Sequence, residues 1–463
     1  MTSILWFRRD LRLADNPAML AALGQLNDSG APQGSVLALY VLDPALWAPA
    51  SPTRRAYLLD SLASLNADLD GNLVLRWGNP EQVVCDLAHE VEAEAVHIAA
   101  DFGPYGSRRD ASVKQRLEGI GVDLVATGSA YAVAPGRVRK SDGERYRVFT
   151  PFRAAWLDHG WRAPVARPTN PAWIAPADLS TPDLPVPARP DITVPQAGEA
   201  AALHRWADFL DQGLATYATD RDRPDRPGTS HLSTALKWGE IHPRTLLADL
   251  SRVAQEGKAS DGVASYRSEL AWREFYADVL WHQPETARTS MREVAAADLW
   301  LTGDERSAAL RTWEAGQTGY PLVDAGMRHL LATGWMPGRV RMVVASFLVK
   351  DLHVPWQLGA RHFMAHLLDG DLASNSHNWQ WVAGTGTDAA PFFRIFNPTT
   401  QGNTFDPNGN YVRQWVPELR GIPGAAVHEP WKLKESPPGY PAPMVDHGVQ
   451  RGITLDAHSR RPR

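Results

Sequence analysis

The sequence predicts an α/β N-terminal domain, a doubly wound parallel sheet, joined by a long proline-rich linker to an all-α domain. Three observations predict it. Short apolar runs alternate with helical patterns up to about residue 130, as in strand–helix–strand units. Prolines crowd residues 164–195. Beyond about residue 200 strand-like alternation disappears and helical periodicity takes over.

The strand candidates are Ser3–Phe7, Val36–Leu42, Leu73–Trp77, Ala95–Ala100 and Asp123–Ala126, short apolar runs rich in β-branched and aromatic residues. Asn16-Pro17 and Asn79-Pro80 each put a side-chain acceptor before a proline at a first helical position, where the missing N–H costs nothing. Gly121 suits the end of a helix before the last strand. No G-x-G-x-x-G follows the first strand, so the dinucleotide fingerprint is missing. Nine prolines, Pro164, Pro168, Pro171, Pro176, Pro182, Pro185, Pro187, Pro190 and Pro195, forbid a helix and favour extended chain. Helical patterns follow at Ala201–Leu210, Arg244–Gln255, Ser265–His282, Ala308–Glu314, Leu322–Thr333, Arg339–Leu348 and Ala360–Leu367. The expected organisation is 1–130 α/β, 131–200 linker, 201–445 all-helical, and 446–463 a polar, disordered tail.

The 463 residues carry a formal net charge of −5, with 44% hydrophobic and 21% charged residues. That excludes a histone-like binder but leaves room for a local basic groove. The single cysteine, Cys85, allows no intramolecular disulfide. Charge at Arg8 and Arg9 stands where a signal peptide needs an apolar region. The longest apolar run, Met342–Val349, is too short to span a bilayer. The expectation is a soluble, cytoplasmic monomer. Tryptophan is abundant, with 18 residues; most of these belong to packing.

Four stretches could carry chemistry. Gly228-Thr229-Ser230-His231-Leu232-Ser233 can aim hydroxyls and backbone N–H groups at a phosphate, or be a plain helix cap. Tyr217 and the run Arg221, Arg223, Arg226 just upstream favour the anion. Tyr266, Glu269, Trp272 or Arg273, and Tyr276 share one helical face, suited to a planar, partly polar ligand or to a core helix with an internal ion pair. Asp369-Gly370-Asp371 leads through Asn375 into Trp379-Gln380-Trp381. It lacks the further oxygens of a calcium loop, and no histidine cluster stands nearby, so a metal is the weaker reading; carboxylates and an amide can instead read the edge of a heterocycle. Gly338-Arg339-Val340-Arg341-Met342 opens an apolar helix whose two arginines point to different sides, one able to pair with a carboxylate and the other to face a phosphate.

Together with Trp6-Phe7-Arg8-Arg9-Asp10-Leu11-Arg12, Asp15-Asn16-Pro17 and the block from Thr318-Gly319-Tyr320-Pro321 to Phe393-Arg394-Ile395-Phe396-Asn397-Pro398-Thr399-Thr400-Gln401-Gly402, these stretches resemble the photolyase/cryptochrome family along nearly the whole chain. The resemblance implies FAD, held through its phosphates and ribityl chain by Tyr217, Thr229, Ser230, His231, Leu232 and Ser233. Tyr266, Arg273, Arg341, Asp369, Gly370, Asp371 and Asn375 complete its site, with Arg341 and Asp369 paired beside the isoalloxazine and Asn375 at N5. Dimer photolyases carry Asn at that position, plant cryptochromes typically Asp and animal cryptochromes typically Cys. The implied activity is that of a class I cyclobutane pyrimidine dimer photolyase of bacterial type, a carbon–carbon lyase driven by light, with damaged DNA as partner, and no metal or membrane. A flipped-out dimer would stack between Trp272 and Trp381, hydrogen-bond Glu269 and pack on Met342. Arg221, Gly338, Arg339, Arg394 and Gln401 would line the DNA. Trp379, Trp356 and Trp313 would relay electrons to an oxidised flavin from the surface.

The stretch Asp101-Phe102-Gly103-Pro104-Tyr105-Gly106 looks more like members whose antenna chromophore is 8-hydroxy-5-deazaflavin than those using methenyltetrahydrofolate. Gly338 replaces the family's usual Asn, His231 a usual Arg and Pro337 a common His, the last arguing against (6-4) lesions. The rival reading is a cryptochrome-type blue-light photoreceptor that signals through a partner; Gly338 speaks for it, while Asn375 and the short tail speak against it.

Overall fold

Five parallel strands form one sheet: β1 Thr2–Phe7, β2 Ser35–Leu42, β3 Leu73–Trp77, β4 Ala95–Ala100 and β5 Asp123–Ser129, in the order β3-β2-β1-β4-β5. Leu5 of β1 lies level with Ala38 of β2 and His97 of β4. The chain winds outward from β1 to β3, then returns to β4 on the other side, so the order reverses between β1 and β4. These facts come from a computed structural model that describes residues 2–24, 34–169, 171–175, 179, 187–388 and 393–460. Pro176, Pro182 and Pro185 of the proline-rich stretch, and the terminal residues 461–463, lie outside the described residues.

Both faces of the sheet are covered, which is why its strands read as continuous apolar runs. Ile4, Trp6, Leu37, Leu39, Val74, Val96 and Ile98 pack on one face with Val84 and Leu87 of the helix Pro80–Glu90 and Val113 and Leu117 of the helix Pro104–Glu118. Leu5 and Phe7 are equally buried on the opposite face. The expected caps are present. Asn16 accepts from Met19 N at 3.2 Å and Asn79 from Glu81 N at 2.9 Å, each ahead of a proline, worth about 1 kcal/mol apiece.

The chain divides into two compact units, and not at the proline-rich stretch. The first comprises residues 1–146, 150–212 and 230–284; the second comprises 147–149, 213–229 and 285–463. The expected boundaries at 130 and 200 are therefore corrected. Within the first unit the loop after β1 is stitched to helices far along the chain. Glu199 accepts from Leu13 N and Ala14 N, both at 2.9 Å. Arg12 donates to the carbonyl of Gly239 at 3.0 Å. Asp15 takes two bonds from Arg244, at 2.6 and 3.1 Å, and one from Val165 N at 3.0 Å. Helix Phe149–His159 also lies within the stretch expected to be linker.

Asp15 makes this stitching sensitive to acid. Burial alone would raise its carboxyl, but hydrogen bonds from His242 and Arg244 outweigh it and hold it at about 2, below its ordinary 3.8. A carboxyl lowered in the folded state adds stability that is complete above its unfolded pKa and lost as the pH falls through the folded one. The contribution should thus be whole above about pH 5, fall as the pH drops through about 2 and be gone near pH 1, and worth about 2 kcal/mol. Urea unfolding of Asp15→Asn beside the parent checks this: the gap between them should be widest near neutrality and close only below about pH 2.

The second unit is helical. Pro321–Thr333, Gly338–Ser346, Trp356–His366 and Leu372–Ala383 surround a core of Met327, Leu330, Val340, Val344, Leu348, Phe363 and Val382. The expectation of a disordered tail from 446 is overturned. His447–Ser459 is a helix whose N-cap Asp446 accepts from Val449 N at 2.9 Å. Thr454 and Ala457 are its buried residues, and Ala457 packs with Val294, Ala295 and Leu299. A polar stretch with one small, buried stripe shows little apolar periodicity, so its order escapes a composition-based reading.

Candidate functional site

The residues singled out above fall into two sets, one in each unit. In the first unit the long helix Ser260–His282 carries Tyr266, Glu269, Trp272 and Arg273. Tyr266 packs on Trp206 and Phe209, with ring centres 5.2 and 5.3 Å apart, and its hydroxyl meets Ser230 Oγ at 2.8 Å. Burial pushes that phenol up, so it stays neutral. Trp272 is half-buried against Tyr276, 5.2 Å away. Glu269 is also half-buried.

Arg273 turns part of its guanidinium to the backbone. Its guanidinium donates to the carbonyls of Ala130 at 2.9 Å and Leu236 at 3.2 Å, and lies over the Tyr131 ring at 4.8 Å. The internal Glu–Arg pair considered for this helix is replaced by another arrangement. Buried Glu274 accepts from the backbone of Ala132 and Val133 and from Trp156 Nε1, fastening the loop after β5 to the helix. Arg273 and Glu274 are structural ties.

In the second unit Arg341 and Asp369 form a two-pronged ion pair at 2.8 and 3.1 Å, and Arg341 Nε also holds the Met336 carbonyl at 2.8 Å. The Asp369 side chain is only 3% exposed. Asp371 caps the helix Leu372–Ala383, its Oδ1 accepting from Ser374 N at 3.0 Å. One turn on, Asn375 is buried and donates through Nδ2 to the Ala360 carbonyl at 3.0 Å. The amide orientation follows: Oδ1 is left as an acceptor. Among the described residues no group of three or more His, Cys, Asp or Glu could hold a metal ion.

The basic run upstream of Gly228 is less basic than it reads. Arg223 pairs with Asp225 at 2.8 Å and Arg226 with Asp220 at 2.9 Å, while Arg221 lies over the Tyr217 ring at 5.5 Å. Asp222 binds Arg339 at 2.8 Å, and Arg339 also covers the Phe405 ring at 4.3 Å. The acids of Arg221-Asp222-Arg223-Pro224-Asp225-Arg226 alternate with the bases, a signal visible in the sequence and missed there. Arg394 is exposed, and beside it Phe393, also overlooked, is 68% exposed. Gly338 opens its helix with no atom within 4 Å of where a Cβ would stand.

The three relay candidates lie in the second unit. Trp379 meets Trp313 edge-on at 6.1 Å and Phe363 at 5.0 Å. Gly359 makes this packing possible: a Cβ there would stand 2.2 Å from the Trp379 ring. Trp356 begins the same helix, one turn before Gly359, and donates through Nε1 to Ser290 at 3.0 Å. All three are buried, Trp313 0% and Trp356 and Trp379 each 3% exposed, so a path from the surface needs a further ring. Half-buried Trp300, missed in the sequence, packs against the same core. Its neighbour Leu301 bonds the His353 carbonyl at 3.0 Å, three residues from Trp356.

The reversal between β1 and β4 leaves a crevice beyond the carboxyl ends of the strands, the usual ligand position in such sheets. Arg8, Arg9, Asp101, Phe102 and Tyr131 line it, and its enclosed space is about 10 Å³, room for about one water. Arg8 and Arg109 lie over the Trp6 ring at 4.8 and 5.0 Å and share Asp110. A larger cavity of about 400 Å³, lined by Leu13, Met19, Asp68, Arg167 and Trp173, contains none of the candidate residues.

The pattern of the DNA photolyase family matches residues 3–172, and that of the FAD-binding domain of DNA photolyase matches residues 266–460. The chain belongs to the DNA photolyase family. A deoxyribodipyrimidine photo-lyase of Halobacterium salinarum is 39% identical over 97% of this chain and 97% of its own length. A class III photolyase of Agrobacterium tumefaciens superposes with a TM-score of 0.89 at 36% identity, over 99% of this chain and 97% of that one. A cryptochrome of Synechocystis gives 0.88 at 28% identity, over 98% and 99%. The chain is accordingly a photolyase-family lyase with an FAD-binding domain, and its combination of an α/β sheet and a mostly helical remainder is that of the family. Among its described residues no helix is long and apolar enough to cross a membrane.

Proposed function

We propose that this photolyase repairs cyclobutane pyrimidine dimers in DNA, by light-driven electron transfer from reduced FAD to a dimer turned out of the duplex. The observation that carries this reading is Asn375. Its Nδ2 is committed to Ala360, so its Oδ1 would offer an acceptor to a flavin N5 hydrogen, which oxidised flavin lacks. The residues present fit the cofactor. The Arg341–Asp369 pair supplies a fixed cation at a half-buried edge. Thr229, Ser230 and Ser233 offer hydroxyls, and Leu232 and Ser233 backbone N–H groups, for a pyrophosphate.

Held by these residues, reduced FAD would supply light-driven one-electron chemistry for splitting the dimer. The chain's own residues do the rest. Trp272 and Trp381, each half-buried in its own unit, offer rings for unstacked bases. Glu269 hydrogen-bonds the dimer and steadies its charge, and Met342 packs against it. Arg221, Arg339, Arg394 and Gln401 meet the DNA backbone. Arg339 gives up Asp222 for a phosphate, an exchange of one charge-assisted bond for another. Trp379 and Trp356 carry electrons inward to restore an oxidised flavin, and Trp300 provides the solvent end.

One observation favours a photoreceptor instead: Gly338 offers no side chain where a lesion contact is expected. A single experiment separates the two. The purified protein should show flavin absorbance and restore an irradiated thymine oligonucleotide under blue light but not in darkness. A flavin-loaded, fully reduced protein that leaves the dimers intact would assign it to signalling.

A further inference from the structure

Helix Gly338–Ser346 ends in a wide π-turn, Phe347–Asp351, closed by Leu352 N on the Phe347 carbonyl at 3.0 Å. Such turns are rare and cluster at functional sites. This one buries Lys350, which is 1% exposed and donates through Nζ to the Arg394 carbonyl at 2.7 Å. Ser346, at the end of the same helix, accepts from Phe396 N at 3.3 Å. The segment 394–396 is thus fastened at two points to the helix that bears Arg339, Arg341 and Met342. The turn is braced from behind, where Thr454 donates to the Lys350 carbonyl at 2.7 Å and His447 meets Asp351 at 2.5 Å.

A buried ammonium is an expensive anchor for a carbonyl, and a neutral donor would make the same tie. Burial pushes Lys350 down to about 7, with Asp351 opposing and Arg394 reinforcing the shift. A group kept under that strain, next to the exposed Arg394, marks a position where the placing of a loop matters. We propose that Lys350 is a positioning residue for DNA binding: by holding the Arg394 carbonyl it sets the Arg394 guanidinium against a phosphate while Met342, on the helix before the turn, meets the lesion. This rests on the DNA-repair reading above, and it extends the site to a residue that touches neither flavin nor DNA.

The test is a double-mutant cycle on affinity for an irradiated duplex, with Lys350→Met, Arg394→Ala and both together, each checked for flavin absorbance. Lys350→Met should weaken binding about five- to tenfold, the size of one net hydrogen bond. Its repair yield per photon at saturating DNA should match the parent's, a split that a general loss of packing would not give. The double variant should bind no more weakly than Arg394→Ala alone. Additive losses, or unchanged binding by Lys350→Met, overturn the proposal. If Arg394→Ala binds like the parent, the DNA-contact assignment fails and the proposal with it, whereas absence of repair by the parent itself strikes the function. Should Lys350→Met fail to fold, Lys350→Arg decides, since it keeps a cationic donor: affinity within about twofold of the parent supports the role, and a tenfold loss refutes it.

Discussion

Trp379→Phe should abolish photoreduction of oxidised flavin and leave repair by chemically pre-reduced protein at the parent's level. The indole is the oxidisable ring of the pair Trp379 and Phe363, which meet edge-on at 5.0 Å; phenylalanine keeps the shape and removes the donor. Gly359, whose missing side chain admits the Trp379 ring, also admits the smaller one, so the fold should hold. Trp313 provides the control. It touches Trp379 at 6.1 Å but is wholly buried, its Nε1 spent on the Val344 carbonyl at 3.0 Å. Trp313→Phe should therefore photoreduce, whereas Trp300→Phe should not. Blue illumination of each variant, followed by its flavin absorbance, reads the result; photoreduction at the parent rate by Trp379→Phe would remove it from the path.

Arg341→Met should cost the protein its flavin and about 3 kcal/mol of stability, the price of leaving a buried carboxylate without its partner. Asp369 is nearly inaccessible to water and takes both prongs of the guanidinium. Methionine fills the volume but answers none of that charge, and it frees the Met336 carbonyl as well. Arg341→Lys should recover little, because an ammonium cannot reproduce a two-pronged bond. Thermal melting and flavin content of the purified variants measure both effects. A variant that melts like the parent and retains its flavin would show that the pair is ornamental.

The strands and helices were legible in the residues because apolar period and cap chemistry are local. Asn16 and Asn79 cap where their side chains and the following prolines demand it, and the observed strands match the apolar runs, with β5 extended to Ser129. Arg341, Asp369 and Asn375 were legible through family motifs, and two of them indeed pair. What escaped was long-range. Asp15 and Arg244 are 229 positions apart, so no window of sequence shows that the first unit extends past the prolines. Arg273 sits on the right helical face, yet its reach takes it to two backbone carbonyls. The burial of Trp313 depends on helices around it and not on its neighbours in the chain. The alternation of acids with Arg221, Arg223 and Arg226 was available to a closer reading.

The helix His447–Ser459 makes the order of the π-turn conditional on a distant segment. Thr454 and His447 complete the hydrogen bonding of Lys350 and Asp351, in a turn that follows directly on the helix of Arg341. Without that helix the turn would stand open to water on one side, so the order of the segment that carries Lys350 is tied to the docking of a helix about a hundred positions further along the chain.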